Sequence, residues 1–230
     1  MKKQDIYVVL VAILLLLPFF ISDSVYGFYE TFNREHGMVM SFIKFAVLAT
    51  FGEAVGLRIR TGRYNHAGFG LLPRAVVWGG IGLTIKLAFV IFAVGTPAFL
   101  AFMGFTDAPS MMKGALSISK VEVAFAISAA MNIIYAPVMM TFHKITDSHI
   151  SANGGRLTSL LKPIQMGSIM QDINWKVQWN FVFKKTIPFF WIPAHTITFL
   201  LPAEMQVLFA ALLSVALGIL LSIASLKSGK

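Results

Sequence analysis

Apolar residues in this chain arrive in runs long enough to cross a lipid bilayer, and nothing else in the sequence limits its fold so tightly. A hydrocarbon core of about 30 Å takes about 20 consecutive apolar residues wound as a helix. Six such segments can be read: Ile6 to Ile21, Met38 to Leu57, Phe69 to Val94, Val121 to Phe142, Thr186 to Leu201 and Met205 to Ala224. The expected fold is all-α, a polytopic transmembrane helical bundle of about six membrane helices. Composition agrees. Of 230 residues 57% are hydrophobic and 13% charged, where a soluble domain carries about 25% charged residues. That excludes a soluble globular enzyme, and it excludes a disordered regulator, which needs low hydrophobicity and high charge density.

Nineteen basic residues against ten acidic give a formal charge of +9. In a membrane protein this surplus collects in cytoplasmic loops and needs no nucleic acid to explain it. The chain has no cysteine, so disulfides, thiolate-bound zinc, iron–sulfur clusters and thiol catalysis are all excluded. Lys2-Lys3 before the first run resembles the start of a signal peptide. The stretch Ser22-Asp23-Ser24-Val25-Tyr26-Gly27 lacks a small-x-small cleavage site, so the run is expected to be a retained helix. The expected organisation is an N-terminal membrane helix and outer loop over 1–37, a helical membrane core over 38–226 and a cytoplasmic tail over 227–230.

Charge bias sets the orientation. Arg34, Lys113 and Lys120 fall in the expected outer gaps. Thirteen basic residues fall in the expected cytoplasmic stretches: Lys2, Lys3, Arg58, Arg60, Arg63, Lys144, Arg156, Lys162, Lys176, Lys184, Lys185, Lys227 and Lys230. Both termini are therefore expected in the cytoplasm. The long gap before the fifth run carries Leu157, Leu160, Leu161, Ile164, Ile169 and Ile173 among polar residues. It predicts an amphipathic helix over 156–173 on the cytoplasmic side, bent at Pro163. Ser151 to Gly155 reads as a loop or hinge.

Helix packing in lipid depends on close backbone approach and polar contacts. Ala210, Ser214, Gly218 and Ser222 recur every fourth residue on one face. Gly52 and Gly56 form a GxxxG pair, and Ala75, Gly79 and Gly82 make a third small stripe. The Ala210–Ser222 face suits either packing within one chain or self-association into a homo-oligomer.

Ionisable groups at bilayer depth are costly unless paired or hydrated, which makes each a candidate for function. Glu53 and Arg74 fall near the cytoplasmic ends of their spans, Lys44, Lys86 and Glu122 nearer the outer side, and Asn132 and His195 near the midplane. Shared depth predicts the pairs Glu53–Arg74 and Glu122–Lys86. They are either structural ion pairs or the lining of a wet path. The fifth run is interrupted by Pro188, Pro193 and Pro202 and carries Trp191, His195 and Thr198. Proline frees backbone carbonyls that other helices or water must satisfy, so this segment suits a cavity wall or a solute site. The five histidines show no HExxH or paired metal spacing, and no nucleophile elbow, P-loop or dinucleotide fingerprint is present. No metal, cofactor or enzymatic activity is expected.

The C-terminal third resembles the family of small integral membrane proteins typified by the peroxisomal 22-kilodalton membrane protein and the mitochondrial inner-membrane Mpv proteins. The family's late signature reads Trp-Pro-x-x-Gln-x-x-Asn-Phe-x-x-Val-Pro-x-x-x-Arg-Val-Leu-Phe. Trp191 stands for its Trp, His195 for its Gln and Thr198-Phe199 for Asn-Phe. After one deletion, Pro202 stands for its Pro, Gln206 for its Arg, and Val207-Leu208-Phe209 is identical. Gly52-Glu53 and Asn132 with Ala136-Pro137 resemble earlier family positions. Met131 stands where the family has an acidic residue, and the run before Met38 has no counterpart. The likeness covers about residues 40 to 222 and implies pore or channel activity.

The expected function is a channel or transporter-like protein for small polar or anionic solutes in a bacterial cytoplasmic membrane. The candidate residues are Glu53, Arg74, Lys86, Glu122, Asn132, Trp191, His195, Thr198 and Gln206. The cations within the spans would favour anions if they faced a wet path. Two other readings stand beside it: a non-transporting scaffold docking through 156–173, and an intramembrane enzyme using Glu53 or His195 as acid or base.

Overall fold

The computed structural model describes residues Lys3 to Ser228, with side chains as far as Ile223. Lys2, Lys230 and the end of the 227–230 tail lie outside the described residues. The chain divides into two units, residues 1–40 and 41–230.

The first unit holds α1 (Lys3–Leu16), α2 (Pro18–Ile21) and α3 (Asp23–Glu35). No residue of α1 or α2 is buried, yet the stretch Lys3–Ile21 is apolar and long enough to span a membrane. The expected outer loop is instead α3. Ser22 is extended and its hydroxyl accepts from the Val25 N–H at 3.4 Å, which caps the helix. Asp23 in the first turn and Arg34 in the last complement the helix dipole.

The second unit is built from α4 (Gly37–Thr61, which begins at the unit boundary), α5 (Leu71–Phe102), α6 (Ala108–Met111), α7 (Ile118–Ile134) and α8 (Ala136–Ala152). A 3₁₀ turn (Leu157–Leu161) follows, then α9 (Met166–Asp172), α10 (Trp175–Val177), a π-helix (Gln178–Trp191), α11 (Ile192–Leu200) and α12 (Ala203–Ser228). Every regular element among the described residues is helical. α7 lies along α11 and packs on α5, and together they enclose a core of Phe45, Ile85, Phe89, Ile127, Met131 and Phe199. Large apolar side chains on the outer faces of α5 and α7, such as Val90, Ile91, Val94 and Phe125, are exposed. That would be a liability in water and is the ordinary state of a helix facing lipid. The chain is a helical membrane protein.

The six expected spans are found in part and with a different shape. Four helices are long and apolar enough to cross: Lys3–Ile21, Gly37–Thr61, Leu71–Phe102 and Ala203–Ile223. A fifth is reached if α7 and α8 form one span bent by 42°. That bend falls where Pro137 has no N–H to give and crowds the residue before it. The fifth expected run is a π-helix that turns into α11. The Ile192 N–H bonds to the Ile187 carbonyl, five residues back, and Pro188 and Pro193 flank this change of ladder. The amphipathic helix over 156–173 does not form as one piece. Lys162 is extended at φ −90°, ψ 145° ahead of Pro163, so only the 3₁₀ turn and α9 remain helical.

Small residues bring the helices together. A Cβ on Gly52 would lie 2.8 Å from the Val215 backbone, and one on Gly56 2.8 Å from the Ser222 hydroxyl. Gly82 meets the Ser41 carbonyl and Phe45 in the same way, and Gly79 the Phe42 ring, while Ala75 beside them on α5 is half-buried. Ser214 and Ser222 donate to the Ala210 and Gly218 carbonyls of their own helix. The α12 stripe therefore packs on α4 of the same chain.

Candidate functional site

Arg74 organises the site. It lies in the first turn of α5, after Gly70 at φ 76°, and that positive φ lets the α4–α5 connection turn under the helix. A Cβ on Gly70 would lie 2.8 Å from the Gly155 Cα, so this connection sits directly against the turn that ends α8. The Arg74 Nε donates to the Phe69 carbonyl at 2.7 Å, and the guanidinium lies 4.4 Å from the Phe69 ring centre.

From there Arg74 reaches two carboxylates. Its Nη1 donates to Glu53 Oε2 of α4 at 2.6 Å and to Asp147 Oδ1 of α8. The other Glu53 oxygen accepts from Trp78 Nε1 at 2.8 Å and lies 2.9 Å from His143 Nε2. A carboxylate only accepts, so that imidazole nitrogen carries the hydrogen and donates. The His143 and Trp78 rings lie 4.2 Å apart. Arg74 and Trp78 stand one turn apart on α5, and His143, Asp147 and Ser151 recur every fourth residue on α8, which puts each set on one face. The Arg74 side chain is 7% exposed and those of Glu53 and Asp147 19% and 24%, so the pairing is largely desolvated.

A second polar set lies deeper. Asn132 Nδ2 donates to the Ser128 carbonyl at 2.8 Å and lies 3.1 Å from His195 Nδ1. The Ser128 hydroxyl donates to the Ile192 carbonyl at 2.7 Å. That carbonyl lies four residues before Thr196, whose hydroxyl also donates to it. Together these contacts tie α7 to the irregular helix. The His195 ring stacks on Trp191 at 5.1 Å and meets the edge of Phe89 at 5.7 Å.

Two neighbouring cavities lie beside the sets. A small one of about 50 Å³ is bordered by Asn132, Tyr135, His195, Phe45 and Phe89. A larger one of about 270 Å³ is bordered by Glu53, His143, Lys144, Gln178 and Thr186. Trp78, Met139, Met140, Trp191 and Ser214 form walls of both. Trp191 is 8% exposed and its Nε1 has no hydrogen-bond partner.

Of the residues expected here from the sequence, Glu53 and Arg74 are bonded to one another, and Asn132, Trp191 and His195 meet around the small cavity. The expected Glu122–Lys86 pair does not form. Glu122 is exposed on the side of α7 opposite Ala124, Ile127 and Met131, while Lys86 is half-buried on α5 with Lys44 as a like-charged neighbour. Thr198 is fully buried and its hydroxyl donates to the Ala194 carbonyl of its own helix. Gln206 donates to the Leu201 carbonyl at the turn into α12, and neither residue borders these two cavities. Trp78, His143 and Asp147 escaped the sequence reading. The usable signal was the four-residue spacing of His143, Asp147 and Ser151 beyond the end of the fourth run.

Glu53, His143 and Asp147 bring one ligand atom each to within 4.8 Å of one another. The place between the carboxylates is already taken by the Arg74 guanidinium, which an ion bound there would have to displace. Compared with known families, curated proteins and solved structures, the chain matches none.

Proposed function

We propose that the protein is a channel or transporter-like protein for small polar solutes, held in a bacterial cytoplasmic membrane with both termini in the cytoplasm. The observation that carries this reading is the pair of adjoining, mostly apolar cavities, one bordered by Glu53 and His143 and the other by Asn132 and His195. Solute sites are concave, mostly apolar and provided with a few placed polar groups, and irregular backbone at membrane depth belongs beside a cavity. The likeness to the peroxisomal and mitochondrial channel-like family points the same way.

The orientation draws support from which helix ends meet. Arg60 near the end of α4 donates to Ser222 of α12 at 2.9 Å, Glu53 meets His143, and Gly70 meets Gly155. All of these belong to the ends that charge bias assigns to the cytoplasm. An even number of crossings follows if Trp175–Leu200 also spans. It is helical without a break, and at about 1.5 Å per residue its length exceeds a hydrocarbon core of about 30 Å.

The cavity walls carry little positive charge with which to prefer an anion. Arg74 is engaged by two carboxylates, and neither Lys86 nor Lys44 borders the cavities, which leaves Lys144 as the basic group on their wall. The test is flux through purified protein in liposomes, offered glycerol, urea, acetate, chloride and ammonium in turn. Met140→Trp fills the wall shared by both cavities, and it is expected to lower the flux of whichever solute passes several-fold while the melting temperature stays near that of the wild type. Liposomes that remain tight to every solute at high protein density would rule the reading out.

A further inference from the structure

The larger cavity is bordered by a charged set that does not balance. Glu53 and Asp147 are two carboxylates sharing one guanidinium, and every other side chain bonded to Glu53 is neutral or an imidazole. With His143 neutral the set carries one net negative charge, in surroundings where unbalanced charge is costly. His143 has spent only one of its two nitrogens. Nε2 donates to Glu53, while Nδ1 has no hydrogen-bond partner among the described residues, and the residue borders the larger cavity.

We propose that the Glu53–Arg74–Asp147–His143 set is a binding site for a single proton, taken up from the cavity at His143 Nδ1. The step is an addition of one proton to the free lone pair of the ring. No bond between heavy atoms is made or broken, and the imidazolium then donates from Nε2 to Glu53 as before. Two anions then face two cations, Arg74 with Asp147 and His143 with Glu53. The sodium ion is the other cation of unit charge that could neutralise the set. It needs a cage of oxygens, and here three of the four carboxylate oxygens already accept from Arg74, Trp78 or His143.

The charged groups around His143 are few. α4 contributes Glu53, α5 contributes Arg74, and α8 itself contributes Asp147, 4.0 Å from Nε2, and Lys144 on the same cavity wall. The π-helix and α12 bring only uncharged side chains to that cavity, with Gln178, Thr186, Trp191 and Ser214 the polar ones among them. On the channel or transporter reading of the same cavity, on which this last step rests, the proton is the co-substrate that moves with the solute.

The test is nitrogen-15 NMR of histidine-labelled full-length protein in lipid, scanned over about pH 4 to 9, a range that brackets an imidazole. The His143 signal is the one missing from His143→Gln. It is expected to pass through one protonation step at Nδ1. In Asp147→Asn the removal of one negative charge should lower the proton affinity about tenfold, one pH unit on that scan. A His143 ring that keeps one protonation state throughout in the wild type would overturn the proposal without recourse to any variant. An unchanged titration in a folded Asp147→Asn would do the same. Sodium chloride in place of acid serves as the other arm, and a His143 signal that answers to sodium but not to pH overturns it too. The NMR needs no flux. Tight liposomes with a titrating His143 would therefore remove the transport reading and keep the proton site, and flux with a silent His143 would do the reverse.

Discussion

Replacing Arg74 with methionine is expected to cost about 3–5 kcal/mol, the range found when one member of a buried ion pair is removed and its partner left behind. Here the damage is doubled in kind, because Glu53 and Asp147 both rely on the same Nη1. Both carboxylates are less than one quarter exposed, so water does little to screen them. Thermal unfolding of the detergent-solubilised protein reads the effect as a fall in melting temperature or as loss of the folded peak on gel filtration. The triple variant Arg74→Met, Glu53→Gln, Asp147→Asn removes the unpaired charges with their partner and should recover much of the loss. A single Arg74→Met that melts with the wild type would mean that the set is hydrated and not structural.

The second large effect is steric. Gly52→Ala sets a Cβ 2.8 Å from the Cα of Val215, and a Cβ on Gly218 would in turn lie 3.1 Å from the Gly52 carbonyl oxygen. The obstacle is main chain, with no side chain to swing aside, so α4 and α12 must separate. Overpacking of this sort costs about 1–3 kcal/mol, and Gly52→Leu should exceed Gly52→Ala. Gly80 supplies the control, since a Cβ there meets nothing within 4 Å. Gly80→Ala relieves the helix of a glycine worth up to about 1 kcal/mol relative to alanine. The same chemical change is therefore expected to lower the melting temperature at 52 and to hold or raise it at 80.

How much of this was legible beforehand depends on which coordinate the sequence carries. Depth along a membrane normal can be counted from a span's end, and that count brought Glu53 and Arg74 together. Rotation about a helix axis cannot be counted in the same way unless a face is known. Glu122 and Lys86 share a depth and point apart, because the buried face of α7 runs through Ala124, Ile127 and Met131 and leaves Glu122 on the other side. The partners of Glu53 were hidden for a related reason. The fourth run continues as helix past Phe142 to Ala152, and hydropathy fades before His143 and Asp147 are reached. Prolines marked the irregular places correctly without revealing their form. Pro163 divides a segment where a bend was expected, Pro137 bends the run that reads as the fourth span, and Pro188 and Pro193 flank the change from π to α. The cap at Ser22 was in plain view within a stretch that reads as loop, since serine and aspartate mark a helix start as readily as a turn.

The contrast between α1 with α2 and the inner face of α7 has an evolutionary corollary. Within their own unit no side chain on the first two helices is buried, and there one greasy residue should substitute for another. Ala124, Ile127, Ser128 and Asn132 are no more than 1% exposed, and each is judged by volume and by hydrogen-bonding valence together. Residues 3–21 should therefore drift freely under selection for oiliness alone, while a single methyl added or lost at 124, 127, 128 or 132 is noticed at once.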